Sequence, residues 1–203
     1  MGDTKENILR TALELFARDG YEAVSVRQIA EALGMTKGAL YKHYQNKRDI
    51  FDHIIAHMER QDSEQAVAHQ VPEGALSEMA SAYSATAPAQ LLTFSQAMFR
   101  YWTEDPFAAP FRRLLTLEQY RDEEMAALYQ QYLCAGPLGY LTDLCASMGD
   151  LEPERHAVTF YAPMFFLYSL YDGQGDTPLL RRQLEVHWAD MKRQLEGIAK
   201  PAL

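Results

Sequence analysis

Two cysteines, Cys134 and Cys145, are too few and too far apart for a disulfide framework or a Cys-x-x-Cys motif. They read as reduced thiols packed like small apolar groups. Long apolar runs are scarce as well. The most apolar stretch, Ala157 to Tyr171, is too short to span a bilayer and contains Thr159, Pro163 and Ser169. The N-terminus, Met-Gly-Asp-Thr-Lys-Glu, has no apolar run behind a basic segment, so a cytoplasmic protein is expected. Glycine-rich phosphate loops and nucleophile elbows are missing, which removes the usual sequence grounds for an enzyme. His53 and His57 stand four apart, but no third ligand follows at a convincing spacing, so neither a metal site nor a cofactor is expected.

Positive charge is also in short supply: 19 Lys and Arg against 28 Asp and Glu give a net charge of −9. Its distribution matters more than its sum. Residues 1–60 carry nine basic and nine acidic side chains, so the acidity belongs to the remainder. Within the first part, Ser25 to Arg48 holds Arg27, Lys37, Lys42, Lys47 and Arg48 against Glu31 alone. A local net charge of +4 inside an acidic chain is the footprint expected of phosphate binding.

The same stretch spells two short helices and a tight turn. Ser25 is an N-cap with Gln28 as its capping-box partner and Val24 and Ile29 as a hydrophobic staple. Val26, Ile29, Ala30 and Leu33 then follow i, i+3, i+4, i+7, and Gly34 stands where a left-handed terminator is needed. Thr36 caps the next helix, whose inward face carries Leu40 and Tyr44. Thr36, Lys37, Gly38, Tyr41, Lys42 and His43 are left outward. Helix, glycine-containing turn and helix is the layout that lays its second helix in the DNA major groove. Gly38 costs about 1 kcal/mol relative to alanine in a helix, a cost explained if the backbone must approach DNA closely.

At these residues the chain resembles the DNA-binding domain of the tetracycline-repressor (TetR/AcrR) family, over roughly residues 5–55. The family's Ile-Ala, Gly, Gly-x-Leu-Tyr and Lys positions are Ile29-Ala30, Gly34, Gly38-Ala39-Leu40-Tyr41 and Lys47. Tyr44 departs from the family's usual phenylalanine, and its hydroxyl is expected to reach a phosphate. The resemblance implies a homodimeric, ligand-responsive repressor of a palindromic operator, released when a small organic molecule binds the C-terminal domain. Arg27, Lys37, Gly38 and Lys42 are expected near base edges, and Ser25, Thr36, Tyr41, His43, Tyr44 and Lys47 near phosphates.

The expected fold is all-α with about nine helices. A three-helix helix-turn-helix domain over 1–48 precedes a helical ligand-binding and dimerisation domain over 49–203, joined through a connector helix at 46–61. Residues 5–19 give the scaffold helix, with Ile8, Leu9, Ala12, Leu13 and Phe16 inward and Asp19-Gly20 closing it. Residues 62–74 read as a loop. Helices follow to Pro88, over 91–102, 107–120 and 122–148, the last interrupted by Gly136-Pro137, then from Pro153 to about Tyr171 and from Asp176 or Thr177 to about Ala199.

Aromatic and soft apolar residues supply a candidate effector wall: Tyr83, Phe94, Met98, Trp102 and Tyr129, with Tyr101, Phe111, Tyr120 and Met125 near them and Glu118 as the carboxylate. Such a wall suits a planar apolar or cationic organic molecule. In the last helix Leu184, Trp188, Met191, Leu195 and Ile198 step by heptad intervals. Preceded by the apolar helix of Phe165 and Tyr168, this seam is expected to be the dimer interface. The effector, the operator and the regulated genes are not written in the sequence.

Overall fold

The computed structural model describes residues 4–70, 72 and 87–198. Among these the protein is all-α, as expected. The helices are α1 (Thr4–Asp19), α2 (Val26–Ala32), α3 (Lys37–Leu40), α4 (Lys47–Ala68), α5 (Pro88–Glu104), α6 (Ala108–Glu118), α7 (Glu123–Leu133), α8 (Ala135–Ser147), α9 (Pro153–Gln174) and α10 (Pro178–Ile198). No helix among the described residues is long and apolar enough to cross a membrane.

The chain divides into two compact units. The first joins Met1–Asp62 to Glu104–Tyr129, and the second joins Ser63–Thr103 to Gln130–Leu203. The first unit thus reaches well past residue 48 and recruits α6 and the start of α7. In it, α1 buries Ile8, Leu9, Ala12, Leu13 and Phe16 and packs along α6, whose Phe111, Leu114 and Leu115 are buried in turn. Asp105 starts α6 by accepting the N–H groups of Phe107 and Ala108, and Asp122 starts α7 by accepting that of Met125. From α4 come Ile50, Phe51, Ile54 and Met58, all buried.

The second unit is built on Leu91, Leu141, Leu144, Cys145, Ala157, Phe160, Met191 and Leu195. At Cys145, burial pushes the thiol up to about 12, with Asp150 adding to the shift, so it is an inert apolar filler. Thr177 caps α10 through the Leu180 N–H.

Two boundaries and one apolar seam differ from expectation. Helix α4 continues seven residues past Gln61, because Asp62 to Ala68 contains neither glycine nor proline; Gln70 then turns with φ of 52°. The expected 122–148 helix breaks at Cys134, ahead of Gly136-Pro137 rather than at it. A proline ring clashes with the carbonyl four residues earlier, so α7 has to end at Leu133. Gly136 is required at this corner: a Cβ there would lie 1.9 Å from the Gln131 carbonyl oxygen.

The third difference concerns the heptad seam. Met191 and Leu195 are buried inside the chain's own core, Tyr168 stacks on Phe99 at 5.3 Å, and Leu184, Trp188 and Ile198 are half-buried. The apolar surface left exposed lies on other stripes: Val158, Phe165 and Phe166 on α9, and Leu179 and Val186 on α10. Of the residues expected at an interface, Phe165 is exposed, Leu184 and Trp188 are half-buried, and Tyr168, Met191 and Leu195 are buried.

His187, on α10, is buried with its Nε2 lacking a partner, and its ring bonds the Phe160 backbone. Burial holds the imidazole below its usual 6.5, against the opposing pull of Asp190. A base whose folded pKa is depressed is neutral in the fold but takes a proton in the unfolded chain. Its contribution is therefore intact above 6.5 and declines as pH falls from there toward the folded pKa. Denaturant melts at about pH 7.5 and about pH 5.5 should show wild type losing more stability than His187→Gln on acidification. Parallel losses would mean that His187 titrates normally.

Candidate nucleic-acid interface

Both arms of the capping box form at the start of α2: the Ser25 Oγ accepts the Gln28 N–H at 3.3 Å, and Gln28 Oε1 accepts the Ser25 N–H at 2.8 Å. At the other end Gly34 takes φ of 65°, the Met35 N–H reaches the Ala30 carbonyl at 2.9 Å and the Gly34 N–H reaches that of Glu31 at 3.1 Å. This is the paired closure that a left-handed glycine allows. It turns the chain sharply, and Thr36 starts α3 by accepting the Ala39 N–H at 3.1 Å. Each cap contributes on the order of 1 kcal/mol. One turn of helix cannot persist without such help.

Helix α3 is anchored from within by Leu40 and Tyr44, both buried. Its outer edge presents Thr36, Lys37, Gly38, Tyr41 and Lys42, all exposed, with His43 half-buried beside them. The Lys37 ammonium rests 5.4 Å from the Tyr41 ring centre, and Tyr41 is 43% exposed. A Cβ built at Gly38 would meet nothing within 4 Å, so no contact inside the protein requires a glycine there. Asn46 begins α4 by accepting the Asp49 N–H at 2.9 Å, while Asp49 accepts that of Gln45 at 2.7 Å.

Several candidate residues are already engaged. Ser25 belongs to the capping box, and the exposed Arg27 is paired with Glu31 through Nε at 2.7 Å. Tyr44 differs from expectation: it is 2% exposed, and its hydroxyl donates to the Lys5 carbonyl at 3.3 Å rather than pointing toward a phosphate. Its ring is the inner anchor of α3, where a hydroxyl must find a partner inside. Lys47 likewise turns inward, donating to the Tyr21 carbonyl at 2.9 Å with its ammonium 4.2 Å from the Tyr21 ring centre.

The proposed effector residues scatter. Tyr83 lies outside the described residues. Trp102 is buried, edge-on to Tyr101 at 5.2 Å and Tyr132 at 6.3 Å. Phe94 is half-buried between His69 at 5.8 Å and Tyr140 at 6.2 Å, and Met98 is half-buried. These three belong to the second unit, whereas Glu118 and Tyr129 belong to the first. Glu118 accepts the Tyr21 N–H at 3.1 Å, so its carboxylate faces the turn after α1. Sequence reasoning missed that role, although one signal was present: Glu118 follows Leu114 and Leu115 on the inward face of α6, where a charge requires a buried partner. Among the described residues no group of three His, Cys, Asp or Glu could hold a metal. His53 instead bonds the Asp49 carbonyl, and His57 stacks on Phe107 at 4.0 Å.

A compact head of capped short helices with a cationic outer edge has the helix-turn-helix layout. Residues 8–54 match the family described as bacterial regulatory proteins, tetR family. Over 52 residues the chain is 42% identical to the HTH-type transcriptional regulator AcrR of Shigella flexneri, covering 26% of this chain and 24% of that one. Over 54 residues it is 43% identical to the tetracycline repressor protein class C of Escherichia coli, covering 27% and 25%. The chain thus spans about a quarter of the length of these curated relatives. The whole fold is also shared. The fatty acid degradation regulator FadR from Bacillus halodurans superposes with a TM-score of 0.63 at 16% identity, over 94% of this chain and 96% of that one. SmeT, the repressor of the Stenotrophomonas maltophilia efflux pump SmeDEF, gives 0.60 at 18% identity over 100% and 96%.

The Tyr44 geometry is open to test. Tyr44→Phe should cost about 1 kcal/mol or less, the worth of one hydrogen bond, and should leave the salt dependence of DNA binding unchanged. A flatter salt slope in the variant would mean that the hydroxyl does reach a phosphate.

Proposed function

We propose that the protein is a homodimeric transcriptional repressor that reads a palindromic operator with two copies of α3 and leaves it when a small organic molecule binds the second unit. One observation carries the reading. The outer edge of α3 is cationic, exposed and unencumbered, and Gly38 leaves its backbone open for close approach although the fold does not need a glycine there. Lys37 and Lys42 read base edges, and Thr36, Tyr41 and His43 hold phosphates. Arg27 joins the base-reading set by exchanging Glu31 for DNA, and Ser25 adds a phosphate contact at the α2 N-terminus. Lys47 enters as a brace on the Tyr21 carbonyl, and Tyr44 as an internal anchor.

A single α3 spans a few base pairs, and two heads about 34–36 Å apart would read successive major grooves. The exposed stripes of Val158, Phe165, Phe166, Leu179 and Val186 supply the apolar surface for pairing, with Phe166 63% exposed. Leu184 and Trp188, half-buried, would complete its margin. Phe94, Met98 and Trp102 are the effector wall of the second unit, suited to a planar apolar or cationic molecule. Named repressors among the similar proteins, the tetracycline repressor and SmeT among them, support repression. A cytoplasmic, non-enzymatic regulator is the matching assignment.

Selection of random DNA duplexes by the purified full-length protein at moderate salt tests the reading. A palindrome should be enriched. Lys37→Ala and Lys42→Ala should each change the preferred sequence, at about 1–3 kcal/mol per lost bidentate base contact. Uniform weakening across all sequences would instead put both lysines on phosphates, and no enrichment at all would remove the DNA-reading assignment.

A further inference from the structure

Within the first unit, two side chains from the α6–α7 region close on the head. Glu118, the last residue of α6, is 4% exposed, and its Oε1 accepts the Tyr21 N–H at 3.1 Å and the Arg121 guanidinium at 3.3 Å. The turn it grips is shaped for it. Gly20 has φ of +89°, and a Cβ there would come within 2.7 Å of that same carboxylate oxygen. Six residues further on, in the first turn of α7, Glu124 accepts Arg48 Nη1 and Nη2 at 2.5 and 2.6 Å. Arg48 Nε meanwhile holds Asp52 at 2.7 Å. The bonds to Glu124 and then to Asp52 raise the Arg48 pKa further above its usual value.

The two contacts fix different parts of the head. Glu118 holds the turn between α1 and α2, and Glu124 holds the start of α4, directly after the α3 segment. Helices α2 and α3 therefore lie in the chain between two held points. Between the contacts is a cavity of about 550 Å³, bordered by Tyr21, Arg48, Phe51 and Met125. Continuous apolar packing is missing at that spot, and the grip there falls to the polar contacts. A bidentate guanidinium–carboxylate pair fixes orientation as well as distance, which an exposed single-point ion pair does not. Neither carboxylate lies on the exposed edge of α3.

We propose that Glu118 and Glu124 are a two-point clasp that fixes the orientation of the reading head, making them positioning residues that set DNA affinity without touching DNA. The proposal rests on the DNA-reading assignment above. A head held in one orientation loses less freedom on binding than a loose one, so opening the clasp weakens binding at every sequence alike. The sign is diagnostic. Removing a carboxylate from a DNA-binding unit would by charge alone strengthen binding, whereas opening a clasp weakens it.

The test uses the full-length protein and its Glu118→Ala, Glu118→Gln and Glu124→Gln variants. Amide hydrogen exchange is read at residues 20–24 and 46–50, and affinity and salt slope are measured on the duplex enriched by wild type. Glu118→Ala should speed exchange at Tyr21 by about tenfold or more and lower affinity about fivefold, with preferred sequence and salt slope unchanged. Glu118→Gln keeps an acceptor for the Tyr21 N–H and should stay near wild type in both readouts. Glu124→Gln, at an exposed pair that the fold tolerates losing, should speed exchange at the start of α4 and lower affinity about threefold; it carries the test if Glu118→Ala fails to fold. Unchanged exchange, or unchanged or tighter binding, in folded Glu118→Ala or in Glu124→Gln overturns the clasp. Failure of the DNA-reading assignment shows separately, as a wild-type protein that enriches no duplex while the exchange data still report on both contacts.

Discussion

The peptide at Tyr21 is the constraint on which the first unit depends. Its N–H is taken by Glu118, 97 residues away in sequence, its carbonyl by Lys47, and its ring lies between Phe16 at 5.0 Å and Phe51 at 5.2 Å. A part-buried turn has no helical ladder to satisfy its backbone, and unpaired peptide groups shut away from water are costly. Side chains therefore supply what the turn lacks. One comes from α4, just past α3, and the other from α6, which sequence order would assign to a different domain. The compact unit that contains the head is for that reason assembled from two chain segments.

Whatever is settled within four residues was legible in the sequence. The Ser25–Gln28 box, the Gly34 reversal, the Thr36 cap and the Asn46 cap all stand where the residue types indicated, because each is a local hydrogen bond between a short polar side chain and a nearby N–H. The inward faces of α1 and α4 were legible for the same kind of reason, since a helical period names a face. It does not name what lies across from that face. Leu184, Trp188, Met191, Leu195 and Ile198 keep a heptad spacing, yet Met191 and Leu195 meet Leu91, Phe160 and their neighbours in the same chain. Intrachain and interchain seams ask for one periodicity.

Long-range polar contacts were the least legible. Tyr44 and Glu118 were read from residue type, as a hydroxyl free for phosphate and a carboxylate among aromatics, while their actual partners are backbone groups 39 and 97 residues distant. A backbone partner has no identity in the sequence, so nothing in residue chemistry points to it. The break at Cys134 was half legible. Gly136-Pro137 announced an interruption, and the proline's reach back to the carbonyl of Leu133 decided where it falls.

Helix α3 is a single turn whose inner side is Leu40, backed by Tyr44, and whose outer side is exposed at Lys37, Gly38, Tyr41 and Lys42. The positions that hold it in place and the positions that face outward are thus disjoint sets. Lys37 and Lys42 are exposed, so substitutions there leave the core intact, and duplicated copies of such a gene can diverge at these positions without first passing through an unstable ancestor. The architecture can keep its shape while the chemistry of one exposed edge changes.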